Sequence, residues 1–189
     1  MSDRAIARAG LVLIGARATG KTSVGRLLAL ALKRPFADTD TEIVRTAGDV
    51  AISEIFERFG EPHFRDLEAE ALGHCMREPG KVIATGGGVV LREGNRALLT
   101  QYGWVCWLKA DPAALAARLA ADPDALRHRP ALTPAGALGE IAAVLEARAP
   151  LYREVADAII DTTSLSIPET ASAVSAAYLA ARPDGGREP

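Results

Sequence analysis

The segment GARATGKT, residues 15–22, has the residue types of a loop that binds phosphate groups. It fits the pattern G-x-x-x-x-G-K-[ST], follows the apolar run LVLI and precedes leucines at helical spacing. Gly15 and Gly20 allow backbone amides to turn toward an anion, and the following helix directs its positive N-terminus at the same point. A glycine turn with an incidental Lys-Thr pair is the alternative. The flanking strand and helix favour the phosphate-binding loop.

Lys21 and Thr22 give this P-loop its expected chemistry. The lysine reaches the β- and γ-phosphates of a nucleotide, and the hydroxyl group is placed to bind Mg²⁺. The chain lacks the NKxD signature of GTPases, and 189 residues are few for a motor or transport ATPase, which favours a kinase of small molecules. The nucleotide-binding residues predicted in this loop are Gly15, Ala18, Thr19, Gly20, Lys21, Thr22 and Ser23.

Four further stretches carry charges or glycines that a ligand pocket could use, namely DTD (38–40), GEPHFRDLE (60–68), TGGG (85–88) and RAPLYRE (148–154). Each also has a purely structural interpretation. Arg65 could pair with Glu61 or Glu68 on a solvated helix face, and the acids of DTD could cap the next helix. TGGG could be a turn, and Arg148 could pair with Tyr152 along a helix. All four interpretations would have to hold at once, so the set favours a pocket behind the P-loop.

Short apolar runs alternate with helical patterns along the chain, which predicts an α/β fold. The predicted strands lie in LVLI (11–14), RPFADTD, KVIAT, WVCWLKA and ADAIID. A long helical pattern breaks near residues 60–62, another is capped by Asp111 or a neighbour, and the last covers about residues 168–181. We expect a central, mainly parallel five-stranded sheet with helices on both faces.

Length and local composition predict the domain organisation. Residues 1–182 are expected to form a single domain, since this length suits one large core. Residues 122–136 carry three prolines and two arginines between helical patterns and predict a mobile lid. Residues 183–189 predict a disordered tail.

Composition excludes several classes of protein. The net charge of −2 provides no general attraction to nucleic acid or anionic membranes. No apolar run reaches the length of a transmembrane helix, and the N-terminus lacks a signal-peptide pattern. Cys75 and Cys106 lack CxxC spacing, and the histidines lack metal-ligand spacing. We therefore expect a cytoplasmic protein with no nucleic-acid or membrane partner.

Together with the P-loop, these stretches resemble the shikimate kinases in order and spacing over residues 11–162. The segment RHRPALT also resembles the lid of that family. The resemblance implies the P-loop kinase fold and an enzyme that transfers a phosphoryl group from ATP, with Mg²⁺, to the 3-hydroxyl group of shikimate. We expect the protein to be a monomer. This reaction belongs to chorismate and aromatic amino acid biosynthesis.

The resemblance also implies which residues bind shikimate. Arg65 and Arg148 correspond to the arginines that hold its carboxylate, a planar group that guanidinium groups bind bidentately. Asp40 corresponds to the carboxylate that accepts hydrogen bonds from ring hydroxyls and orients the one that is phosphorylated, and we expect it to be a catalytic residue. Gly86 and Gly87 would let the main chain approach the ring.

On the nucleotide side, the resemblance implies that Asp38 acts with Thr22 at Mg²⁺, through bound water. Arg129 corresponds to the lid arginine that closes over the γ-phosphate, so Lys21 and Arg129 are the expected catalytic cations. A second arginine on the nucleotide is expected to be Arg118 or Arg127, and we prefer Arg118.

The match with the family pattern is incomplete at Ala18, where the family has a glycine, because alanine takes a positive φ angle less readily. Two other functions stay open. One is a different small-molecule kinase, acting on another carboxylated polyol such as gluconate or on a nucleotide. The other is a sensor that binds the same ligands without turnover, which the presence of Lys21, Thr22, Asp38 and Arg129 disfavours.

Overall fold

The structure is a computed structural model that describes residues 10–121 and 141–181. The strands are β1 (Gly10–Ile14), β2 (Phe36–Asp38), β3 (Val82–Ala84), β4 (Gly103–Lys109) and β5 (Ala158–Asp161). The helices are α1 (Lys21–Ala31), α2 (Thr39–Thr46), α3 (Ile52–Cys75), α4 (Glu93–Tyr102), α5 (Pro112–Ala120), α6 (Ile141–Val155) and α7 (Ile167–Ala180). The predicted lid, residues 122–136, and the predicted tail, residues 183–189, lie outside the described residues.

All five strands run parallel in one sheet with the order β2-β3-β1-β4-β5, which confirms the predicted architecture. Strand β1 lies in the centre, and every one of its residues is buried. Val12 and Ile14 pack into one apolar cluster, which includes side chains of α3, α4 and α6. Leu11 and Leu13 face the opposite cluster, which includes side chains of α1 and α7. The uniformly apolar run LVLI is therefore explained by burial of both faces of β1.

The register of the sheet brings three of the predicted motifs to one edge. Ala84 of β3 pairs with Leu13 of β1 on one side and with Asp38 of β2 on the other. The segments that follow these strands are TGGG, the P-loop and DTD, so all three lie side by side at the carboxyl edge. Ligands of open parallel sheets bind at this edge.

Helix α3 contains the predicted break. Gly60 has a φ angle of 77° and a ψ angle of 175°, so the two halves of α3 meet at a non-helical residue. Asp111 takes the N-cap position of α5, but its side chain makes no capping hydrogen bond. Its backbone amide instead donates to Thr163 Oγ1 at 3.0 Å, which joins the start of α5 to the loop after β5.

Both cysteines carry free thiols in the interior of the protein. Cys75 belongs to the apolar cluster on one face of the sheet and Cys106 to the cluster on the other. Within residues 10–121 and 141–181, no helix has both the length and the apolar character needed to cross a bilayer.

Candidate active site

The P-loop joins β1 to α1 and takes the conformation that a phosphate-binding loop requires. Gly15 and Gly20 have φ angles of 138° and 85°. A methyl group on Gly15 would lie 2.3 Å from the carbonyl oxygen of Leu108, so this position accepts only glycine. Gly20 directly precedes α1, whose first residues include Lys21, Thr22 and Ser23. The first amide groups of a helix have no acceptor within the helix itself, and those of α1 are directed toward the loop.

Lys21 is buried, and its ammonium group folds back over the P-loop. Nζ donates a hydrogen bond to the carbonyl oxygen of Ala16 at 2.7 Å. The hydroxyl group of Thr19 donates to the same carbonyl oxygen at 2.8 Å. The positive charge is thus held against the P-loop by oxygens of the loop itself.

Ala18 adopts the left-handed conformation, with a φ angle of 63°. This conformation is about 1–2 kcal/mol less favourable for alanine than for glycine, which adopts it without a steric penalty. Its carbonyl oxygen accepts a hydrogen bond from Arg118 Nη1 at 3.4 Å. The departure from the family pattern at Ala18 therefore leaves the loop in a conformation that a glycine would also take.

Arg118 connects the P-loop to the loop that follows β5. Its guanidinium group donates to the carbonyl oxygen of Thr162, to Thr162 Oγ1 at 3.2 Å and to the carbonyl oxygen of Thr163 at 3.3 Å. Arg118, the arginine preferred from the sequence, therefore lies next to the P-loop. Its hydrogen bonds are made to main-chain carbonyl groups and to the Thr162 hydroxyl group. The alternative, Arg127, and the predicted lid arginine, Arg129, lie outside the described residues.

Asp38 contacts both the P-loop and α2. Its Oδ2 accepts a hydrogen bond from the Thr22 hydroxyl at 2.7 Å, while Oδ1 accepts from the amides of Asp40 at 2.9 Å and Thr41 at 3.4 Å. Asp38 therefore caps α2, as one interpretation of the sequence predicted, and it also contacts the P-loop through Thr22. Thr22 and Asp38 offer the hard oxygen ligands that Mg²⁺ prefers.

The described residues contain no group of three or more His, Cys, Asp or Glu side chains that could hold a metal ion. In nucleotide sites Mg²⁺ keeps several waters and is bound by one or two protein groups together with the phosphates. Thr22 and Asp38 thus fit Mg²⁺ bound with a nucleotide rather than by the protein alone.

The loop 86–88 lies beside Asp40 and the carboxylate of Glu68. The Gly86 amide donates to the buried Thr39 hydroxyl at 2.9 Å, which ties the loop to α2. A methyl group on Gly86 would lie 2.9 Å from Asp40 Oδ1 and 2.8 Å from Glu68 Oε1. Because Gly86 has no side chain, its main chain can lie close to the carboxylates of both Asp40 and Glu68.

Arg65 is buried with only 8% of its surface exposed, so the solvated-face interpretation is wrong. It does pair with both acids that the sequence suggested. Nη1 donates to Glu68 Oε2 at 2.8 Å, and Nη2 donates to Glu61 Oε1 at 2.8 Å. Nε also donates to Glu61 Oε1, at 3.1 Å. A methyl group on Gly88 would lie 2.0 Å from Arg65 Nη1, so the third glycine of TGGG makes room for this guanidinium group.

Glu68 is a buried acid that the sequence analysis did not select as a site residue. It is 1% exposed, and its Oε1 makes no hydrogen bond within the described part of the chain. Burial raises its pKa, and the charges of Arg65, Arg148 and Arg92 oppose that rise. Arg65 therefore contacts this carboxylate directly, while Arg148 and Arg92 act on it through their charges.

Replacing Glu68 with Gln is expected to remove a pH dependence of stability. The folded protein binds the Glu68 proton more tightly than the unfolded chain does, since burial raises the pKa. The stability of the wild type relative to Glu68→Gln should therefore fall as pH rises from the ordinary pKa of glutamate through the raised pKa. Urea unfolding at several pH values measures this difference. Glu54→Gln, on the exposed face of α3, should follow the wild type. A difference that does not change with pH would contradict the expectation.

Arg148 and Tyr152 of α6 both donate to the loop 86–88. Arg148 Nη1 donates to the carbonyl oxygen of Gly87 at 3.2 Å, and the fully buried Tyr152 hydroxyl donates to the same oxygen. Burial raises the pKa of Tyr152 to about 12, so it stays a hydrogen-bond donor at neutral pH. Arg148 and Tyr152 lie four residues apart on the helix, and this spacing lets both donate to the Gly87 carbonyl oxygen, more than 60 residues away along the chain.

The same loop also touches the P-loop. A methyl group on Gly87 would lie 3.5 Å from the Gly15 carbonyl oxygen and 3.5 Å from the Arg17 amide nitrogen. The backbone of residues 86–88 therefore lies between the P-loop main chain on one side and Arg65 and Arg148 on the other. Sequence analysis selected Gly86 and Gly87, but it missed the supporting residues Glu68 and Tyr152, although both lie within the quoted motifs.

A P-loop at the carboxyl edge of a five-stranded parallel sheet, with the buried Arg65 and the partly buried Arg148 beside it, is the architecture of a P-loop kinase of small molecules. The family profile described as shikimate kinase matches residues 17–178. The chain belongs to the shikimate kinase family.

Individual relatives agree with this assignment. The chain is 44% identical over 159 residues to a shikimate kinase of Rhodopirellula baltica, with 84% of each chain covered. It is 47% identical over 151 residues to a shikimate kinase of Oleidesulfovibrio alaskensis, which covers 80% of this chain and 87% of the relative. The structure of a shikimate kinase from Acinetobacter baumannii in complex with shikimate aligns with a TM-score of 0.81 at 34% identity, covering 90% of this chain and 92% of that one.

Proposed function

We propose that this chain transfers the γ-phosphoryl group of ATP to the 3-hydroxyl group of shikimate, which yields shikimate 3-phosphate and ADP. The observation that carries the proposal is the position of the loop 86–88. One side of this loop lies against the P-loop main chain, and the other contacts Arg65 and Arg148. Two guanidinium groups suit the single carboxylate of the acceptor, and the loop sets the distance from that carboxylate to the nucleotide.

On the nucleotide side, the amides of the P-loop would hold the phosphates, with Lys21 at the β- and γ-phosphates. Arg118 would contact the nucleotide at the mouth of the loop. Thr22 and Asp38 would hold Mg²⁺ with the phosphates, and the ion would neutralise charge on the phosphate oxygens. The contact between the Thr22 hydroxyl and Asp38 supports this pairing.

On the acceptor side, Arg65 and Arg148 would bind the carboxylate of shikimate. Glu61 and Glu68 fix the orientation of Arg65, because together they accept three of its hydrogen bonds. Asp40 would accept a hydrogen bond from the reacting hydroxyl group, and Gly86 and Gly87 leave room for the ring. Asp40, Arg65 and Arg148 all lie around the loop 86–88, which supports a substrate that carries both a carboxylate and hydroxyl groups.

In the proposed reaction, the 3-hydroxyl oxygen forms a bond to the γ-phosphorus while the bond from that phosphorus to the β–γ bridging oxygen breaks. The bridging oxygen leaves as part of ADP, and the hydroxyl proton passes to Asp40 or to water. Such a transfer depends mostly on alignment and charge neutralisation. Lys21 would neutralise charge on the phosphates, and Asp40 would orient the acceptor. The role of Arg129 as a further cation on the γ-phosphate stays a prediction.

A coupled assay of ADP release tests the proposed function. The purified protein is supplied with ATP, Mg²⁺ and one of three acceptors, namely shikimate, gluconate or a nucleoside monophosphate. We expect turnover with shikimate and none above background with the other two. Turnover confined to gluconate or to the nucleotide would contradict the proposal. Binding of ATP and shikimate without turnover at high protein concentration would instead support the sensor alternative.

Replacing Arg148 with Ala is expected to raise the KM for shikimate by about twentyfold, since the variant loses charged hydrogen bonds to the carboxylate. The KM for ATP should change little. Steady-state kinetics with each substrate varied in turn measure both values. Arg153→Ala, an exposed arginine on the same helix, is the matched control and should keep the wild-type KM for shikimate. An effect of Arg148→Ala on ATP alone would contradict the assignment.

A further inference from the structure

We propose that the hydroxyl group of Thr19 positions the ammonium group of Lys21 for ATP, and that Thr19 is therefore a positioning residue of the kinase. This inference rests on the proposed role of Lys21 at the phosphates. It gives the side chain of Thr19 a function, whereas the P-loop pattern requires no particular side chain at this position.

The first argument is the burial and hydrogen bonding of Thr19. Its side chain lies inside the P-loop, and the residue is 2% exposed. The hydroxyl proton is donated to the carbonyl oxygen of Ala16 at 2.8 Å. A hydroxyl group has one proton and two lone pairs, so the lone pairs of Oγ1 stay available as acceptors.

The second argument is the position of Lys21 relative to that hydroxyl. Nζ lies 3.4 Å from Thr19 Oγ1 and 2.7 Å from the carbonyl oxygen of Ala16. Thr19, Lys21 and the Ala16 carbonyl thus form a closed triangle of hydrogen bonds within one loop. In this triangle, Thr19 both fixes the carbonyl that Lys21 binds and accepts from Lys21 directly.

The third argument is energetic. A lysine side chain has much rotational freedom, and ordering it when ATP binds lowers the affinity. In this protein the ammonium group is already ordered by oxygens of the loop, in a buried position. The arrival of phosphates then requires only a local exchange of hydrogen bonds. Loss of the Thr19 hydroxyl should remove the hydrogen bond from Lys21 to Thr19 Oγ1. It should also make the Ala16 carbonyl, the other acceptor of Lys21, more mobile.

A double-mutant cycle on ATP affinity, measured by isothermal titration calorimetry without an acceptor, tests the proposal. Thr19→Val keeps the shape of the side chain and removes the hydroxyl group, and Lys21→Met removes the charge. We expect Thr19→Val to raise the Kd for ATP about tenfold in the wild-type background and less than about twofold in the Lys21→Met background. Thr19→Ser, which keeps the hydroxyl, should stay within about twofold of the wild type.

AMP separates positioning of Lys21 from collapse of the loop. AMP lacks the β- and γ-phosphates, so its Kd should change less than about twofold in Thr19→Val, whereas a distorted loop would weaken both nucleotides. If Thr19→Val does not fold, Thr19→Ala takes its place in the same cycle. An equal effect in both Lys21 backgrounds, or equal losses for ATP and AMP, would overturn the proposal.

The outcome of this double-mutant cycle does not depend on the acceptor, because the titrations contain none. A wild-type protein that binds ATP but does not phosphorylate shikimate would contradict the proposed function alone. An additive cycle in a protein that does phosphorylate shikimate would contradict the role of Thr19 alone.

Discussion

Replacing Lys21 with Met should lower kcat by about a thousandfold, because the variant removes a buried positive charge from the position where negative charge is transferred. Methionine keeps the length and the apolar stem of the side chain, so packing within the P-loop changes little. Charge neutralisation carries most of the rate in phosphoryl transfer. Single-turnover measurements at saturating ATP and shikimate separate this loss of rate from weaker binding.

Lys33→Met is the matched control for this variant. Lys33 is exposed between α1 and β2, at the end of the sheet opposite to the P-loop, so its replacement should leave kcat unchanged. A kcat for Lys21→Met within tenfold of the wild type, in a protein that still binds ATP, would contradict the proposed role of the ammonium group.

Replacing Arg65 with Ala is expected to raise the KM for shikimate by about a hundredfold and to lower the stability of the protein. The first effect follows from the loss of a guanidinium group held rigidly by Glu61 and Glu68. The second follows because Glu68 stays buried without its closest cation. Nucleotide affinity should stay within about threefold, because the P-loop contacts are unchanged.

A rescue experiment and a control variant test whether the higher KM of Arg65→Ala comes from the loss of carboxylate binding. Guanidinium ions added in solution should partly restore turnover if the missing group binds the carboxylate. Arg58→Ala, which breaks an exposed ion pair with Glu54 on the same helix, should leave KM unchanged. A KM for shikimate close to that of the wild type would contradict the placement of Arg65 in the acceptor site.

Local features of this protein could be predicted from the sequence because a short stretch contains all of their causes. The P-loop is defined by its own glycines and by the flanking strand and helix. The break at Gly60 follows from the positive φ angle that glycine tolerates. The parallel sheet follows from the alternation of buried strands with helices.

The surroundings of Arg65 could not be predicted in the same way. Helical spacing suggested Glu61 and Glu68 as partners, and both contacts are present. Whether the group is solvated depends on the loop 86–88, which covers it from another part of the chain. Likewise, the spacing of Arg148 and Tyr152 suggested a pair on one helix, but their common acceptor, Gly87, lies far away in the sequence. Contacts of this kind depend on tertiary packing.

The placement of the two cysteines bears on how the enzyme withstands oxidants. Burial raises the thiol pKa of Cys75 to about 11 and that of Cys106 to about 12, so almost no thiolate exists at neutral pH. Peroxide and alkylating reagents attack the thiolate, and they reach buried sulfur slowly. The folded kinase should therefore work without added reductant, and the rate at which its thiols are labelled reports how often the core opens.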